Sequence, residues 1–111
     1  MNEEDLGYLP ATELAPMIRQ KKISPVEVMT ALLARMSKLE PKINAMAAID
    51  PELSLSRARA AEQALMGGGP LGRLHGLPVT IKDLTWTAEY NTEAGSFMQK
   101  GFRAPIDAPF V

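Results

Sequence analysis

Two proline-started boxes constrain this chain more than any other feature. Ser24-Pro25-Val26-Glu27 sets an N-cap serine, a proline at the first helical position and a glutamate three residues after the cap. That is a reciprocal capping box, with the proline standing where a helix has no use for an N–H. Asp50-Pro51-Glu52 repeats the logic with an aspartate cap and a first-turn acid. After the first box, Val28, Ala31, Leu32, Arg35, Met36 and Leu39 recur with a 3.6-residue period. Pro41 then stops the helix, because the residue before a proline avoids helical backbone. After the second box, Leu53, Arg57, Ala58, Ala61, Ala64 and Leu65 continue the period to Gly67-Gly68-Gly69-Pro70. Upstream, Leu14, Met17 and Ile18 share one helical face, with Thr12 as a cap and Lys21 and Lys22 at the negative end.

The remaining apolar runs read as strands. "KINAMAAID" is short and apolar, and residues 43–49 are expected to be a strand. "LPVTIK" alternates, with Leu77, Val79 and Ile81 on one face and Pro78, Thr80 and Lys82 on the other. The expected fold class is therefore α/β, with N-terminal helices packed on the start of a mixed β-sheet. Residues 1–8 are expected as a flexible lead, 11–39 as a helix pair, 51–66 as a helix and 77–82 as a strand. Residues 83–111 are expected as a loop and a continuation cut short at Val111.

Bulk properties narrow the function classes. With 46% hydrophobic residues among 111, the chain can bury a core. The net charge is −1 and both signs are interspersed, so no basic stripe points to nucleic acid or an anionic membrane. No apolar run approaches the roughly 20 residues of a membrane helix. Cysteine is absent, which removes disulfides, thiol nucleophiles and thiolate metal sites. The acidic start "MNEEDLGYLP" has no apolar core like that of a secretory signal. A cytoplasmic protein is expected.

Several motifs match only by letter. Gly67 to Gly72 spells G-x-G-x-x-G, but a helix precedes it and a strand is expected after it, the reverse of the dinucleotide fingerprint. His75 is the single histidine and has no cysteine or second histidine with which to bind zinc, so it reads as a hydrogen-bonded loop residue. The methionines scatter over helices and loops as core fillers. Glu89 and Glu93 are four apart in a polar loop and read as solvated carboxylates rather than an acid/base pair.

Lys82 is the residue with two readings. A lysine at a strand end is usually a solubilising group. Yet strand C-terminal ends in α/β sheets open onto ligand crevices, and burial there favours the neutral amine, which can act as a base for a serine nucleophile.

"GPLGRLHGLPVTIKDLTWTAEYNTEAGS" resembles the first conserved block of the amidase signature family, whose pattern runs G-P-L-H-G-[IV]-P-x-x-x-K-D and then T-x-G-S. The upstream helices resemble that family's N-terminal helical region, so the likeness extends from about Leu9 onward. The resemblance implies an amide hydrolase of the Ser–Ser–Lys type. Lys82 takes the place of the triad lysine, the catalytic residue, accepting a proton through a bridging serine while a second serine attacks the carbonyl. It implies no metal and no organic cofactor. Both serines belong to a Gly/Ser-rich segment downstream in the family, and no such segment follows Lys82 here. Ser96 corresponds to the T-x-G-S serine, with one extra residue in the spacing, and Leu84 stands where asparagine often follows the aspartate. The expectation is thus a fragment that carries the proton-transfer lysine without the nucleophile and is inactive alone. Its expected partners are a small-molecule amide substrate in the longer form and a second copy of itself in a homo-oligomer. Two other readings remain: a small non-catalytic interaction module, and a transamidase component that acts on aminoacyl-tRNA.

Overall fold

The computed structural model describes residues 1–111. Four α-helices carry the architecture: α1 (Glu3–Tyr8), α2 (Ala11–Arg19), α3 (Pro25–Ile43) and α4 (Pro51–Met66). There is no sheet, and the β-type pairing consists of one isolated antiparallel bridge, Asn91 with Arg103. The expected α/β fold with a mixed sheet is therefore corrected to a helical one. A helix closes its hydrogen bonds inside its own segment, whereas a strand needs a second segment alongside. Residues 77–82 are irregular, and no neighbour pairs with them. Residues 43–49 form no strand either. Ile43 ends α3, Asn44 caps it in the left-handed region (φ 47°), and the rest is irregular.

The chain divides into two compact units. The first comprises Met1–Ala45 and Asp50–Pro78. Its core is Leu14, Ile18, Val28 and Leu65, with Leu9, Ile23, Leu32, Leu71 and Leu77 packed against it. Helix α3 packs against both α1 and α4. The capping boxes act as written in the sequence. Ser24 Oγ accepts from Glu27 N at 3.0 Å and Glu27 Oε2 accepts from Ser24 N at 2.8 Å. Asp50 Oδ1 accepts from Leu53 N at 3.0 Å.

Three local details depart from what the sequence leads one to expect. The flexible lead is instead helix α1, because Asn2 and Asp5 form a reciprocal capping box and Leu6 is buried. Helix α2 is capped by Pro10 with no side-chain bond, not by Thr12. Its other end closes as a Schellman motif: Lys22 N donates to Met17 O, Lys21 N donates to Ile18 O, and Lys21 stands at φ 60°. Helix α3 runs past Pro41, since a proline in the last turn removes one bond and Asn44 N still reaches Glu40 O at 2.8 Å.

The second unit comprises Met46–Ile49 and Val79–Val111. It is built from turns and one short 3-10 turn, Phe97–Gln99. Buried Thr92 and Ala104 mark its interior. Trp86 and Phe102 lie with ring centroids 5.8 Å apart in a tilted arrangement. Ala108 N donates to Trp86 O, and Ala88 N donates to the Asp107 carboxylate at 2.7 Å. No helix of the chain is long and apolar enough to cross a membrane.

Candidate active site

The His75–Asp83 block has a structural half and an exposed half. In the first unit, His75 Nε2 donates to the Ala61 carbonyl of α4 at 2.8 Å. The acceptor is a carbonyl, so this nitrogen carries the proton. Gly76 follows at φ 79°, and a Cβ there would stand 3.0 Å from Pro25 Cγ and 3.1 Å from Ile18 Cγ2. His75 and Gly76 thus seat the His75–Pro78 half of the block on helices α2, α3 and α4 of the same unit.

In the second unit, Lys82 is exposed and its ammonium makes no hydrogen bond or ion pair. The sheet that was expected to desolvate it does not form. What the fold does hold is the backbone. Thr85 N donates to Lys82 O at 2.9 Å and closes a turn that begins at the lysine.

Asp83, unlike Lys82, is hydrogen-bonded through its side chain. Its Oδ1 accepts from Glu93 N at 3.1 Å, and its main-chain carbonyl accepts from Ala94 N at 3.1 Å. Thr92, 3% exposed, donates from Oγ1 to Thr85 O at 3.3 Å and from its N–H to Phe102 O at 2.9 Å. Residues 82–85 and 92–94 are therefore cross-linked. Beyond them, Ser96 N donates to Glu93 O at 2.9 Å across a turn with positive φ at both central residues, Ala94 (53°) and Gly95 (65°). Ser96 Oγ accepts from Met98 N at 3.2 Å and caps the 3-10 turn. No hydrogen bond links Ser96 to Lys82.

Glu89 and Glu93 do not share a helix face, because residues 88–90 are bends, Asn91 forms a bridge and residues 92–93 are irregular. The Glu93 carboxylate accepts from Gly101 N instead. An open depression of about 290 Å³ is lined by Ala47, Asp83, Glu93, Gly95, Ser96, Phe97 and Lys100. Lys82 is not among its walls. No group of three or more His, Asp or Glu side chains gathers where it could hold a metal ion. The sequence alone assigned no role to Asp83 or Gly76. The signal for Gly76 was the His-Gly-Leu-Pro turn, and for Asp83 its position beside the lysine.

Similarity to known proteins bears on what this arrangement serves. "Putative amidase AmiD" of Mycobacterium tuberculosis is 35% identical over 111 residues, covering 100% of this chain and 23% of its own length. A glutamyl-tRNA(Gln) amidotransferase subunit from Methylobacillus flagellatus is 40% identical over 99 residues, 89% of this chain and 20% of the relative. The protein of the same name from Pseudomonas fluorescens is 38% identical over 106 residues, 96% of this chain and 22% of the relative. The chain thus spans between a fifth and a quarter of the length of these curated relatives. No solved structure matches it. The family profile described as Amidase matches residues 27–111, which include the whole His75–Asp83 block and the Thr92–Ser96 turn. On that match, the chain belongs to the amidase family.

Proposed function

We propose that this chain supplies the proton-transfer lysine of an amide-hydrolysing Ser–Ser–Lys centre, with Lys82 as that lysine. The observation that carries the reading is the place of Lys82. It lies inside the family match, ends the His-Gly-Leu-Pro block, and stands solvent-open on a backbone turn closed by Thr85. A serine hydroxyl is a weak nucleophile until a base takes its proton. A lysine can be that base only as the neutral amine, so the segments that complete the centre must also exclude water from Lys82. The two serines and the backbone N–H groups that would hold the oxyanion come from those segments.

The test places this chain in the AmiD relative in exchange for the matched segment, with cooperative melting as the check on folding. The chimera should cleave small aliphatic or aromatic amides. Lys82→Ala should lower kcat/KM by on the order of 10³-fold or more, as expected for one member of a unit that acts together. Lys82→Arg should fail as well, because guanidinium does not give up its proton near neutral pH. The 111-residue chain alone should show no turnover. Retained activity in the folded Lys82→Arg chimera would make the lysine a charge anchor and return the chain to the non-catalytic reading.

A second reading has one observation in its favour: identity reaches 40% with the Methylobacillus amidotransferase relative and 35% with AmiD. Under it, the same lysine serves amide transfer onto an aminoacyl-tRNA. The chimera built in the amidotransferase relative, assayed for amide transfer to glutamyl-tRNA, separates the two.

A further inference from the structure

We propose that Asp83 is a positioning residue for Lys82: its side chain clamps the Glu93–Ser96 turn and thereby fixes the backbone from which the lysine projects. The inference rests on the reading of Lys82 as the proton-transfer base. A lysine side chain has four rotatable carbons, and nothing in the structure holds this one at its tip. Proton transfer depends on geometry, so the precision must come from the main chain below it. Two bonds supply it at the adjacent residue. Asp83 Oδ1 takes the Glu93 N–H and the Asp83 carbonyl takes the Ala94 N–H, each at 3.1 Å. The Thr85 N–H closes on the Lys82 carbonyl at 2.9 Å, and Thr92 Oγ1 ties to Thr85 O. The peptide between Lys82 and Asp83 is therefore held on both sides.

A strained conformation points to the same place. Ala94 occupies φ 53°, a region that residues with a Cβ seldom enter. Such a conformation persists where neighbouring bonds over-determine it. Here those bonds are the two from Asp83 and the Ser96 N–H to Glu93 O closure. The clamp requires an acceptor at the reach of a short side chain, not a charge. That separates it from a role of Asp83 as a second acid or base.

The experiment has two arms. In the 111-residue chain, amide exchange is read at Glu93, with Ala108, bonded to Trp86 O in the same unit, as the internal control. Asp83→Ala should lose protection at Glu93 by about tenfold while Ala108 keeps its own, since the Glu93 N–H loses its acceptor. Asp83→Asn keeps an acceptor oxygen and should keep the protection. If the alanine variant loses both amides, the asparagine variant decides: Glu93 protected supports the clamp, and Glu93 unprotected overturns it. In the AmiD chimera, Asp83→Ala should lower kcat by on the order of 10²-fold with KM within about twofold, the signature of a misplaced group. Asp83→Asn should recover most of that loss. An asparagine variant as slow as the alanine one would overturn the positioning role in favour of a proton-carrying carboxylate. Unchanged Glu93 exchange in Asp83→Ala would overturn it outright. A chimera indifferent to Lys82→Ala would instead defeat the underlying reading, and the exchange arm would still report on the clamp.

Discussion

Gly76 shows how one missing side chain sets the packing of the His75–Pro78 segment. The chain there needs φ 79°, and the space of a Cβ is already taken by Pro25 and Ile18 at 3.0 and 3.1 Å. Both neighbours are almost fully buried and cannot swing aside. Gly76→Ala should therefore cost about 2–3 kcal/mol, combining left-handed strain with overpacking. A urea titration followed by far-UV circular dichroism measures it. A midpoint within error of the unsubstituted chain would mean that the turn relaxes freely. His75 works at the same joint through its bond to Ala61 O, so the histidine expected as a hydrogen-bonded loop residue is a tie between the block and α4. The identity of the partner was not legible, because Ala61 is fourteen residues away in sequence and offers only its main chain.

At the scale of the element, the helices were readable because their signals are local. The Ser24–Glu27 box and the Asp50 cap lie within four residues of the bonds they make. Ser24→Ala should lower stability by about 1 kcal/mol, with the helical signal nearly intact, because Glu27 still reaches the Ser24 N–H and Pro25 still presets the first turn. A loss of more than about half the ellipticity would contradict this. The Asn2-x-x-Asp5 box of α1 is the same kind of local signal, set in a segment whose acidic, polar composition suggested a flexible lead. The strand expectations failed for a different reason. Alternation in Leu77–Lys82 describes a residue pattern, but a strand exists only with a partner, and none of the 111 residues lies alongside. Val79, meant for a buried face, is 77% exposed.

For the whole molecule, that uncovered surface is the main consequence. Phe97 and Met98 are 96% and 97% exposed, and Phe110 is 79% exposed, all in the second unit. Such groups favour association with other apolar surface. The 111-residue chain should self-associate in sedimentation velocity as concentration rises, and a Phe97→Ser, Met98→Ser variant should shift it toward monomer. A compact monomer at the highest concentration would show that these side chains stay solvated without consequence.

The sequence by itself determined where α3 and α4 begin, which family the chain resembles, and which lysine to suspect. Those are decided by residues within a few positions of one another, or by a run of motif letters. The tertiary structure alone decided that Leu77–Lys82 pairs with nothing, that Gly76 is locked between Ile18 and Pro25, and that Asp83 holds the Glu93–Ser96 turn. Each of these joins segments about ten to sixty residues apart, or depends on the absence of a joining segment. A helix carries its hydrogen-bond partners within itself, so its code is local; a clamp, a close contact or a sheet takes its partner from elsewhere, and no periodicity in one segment says where that partner will be.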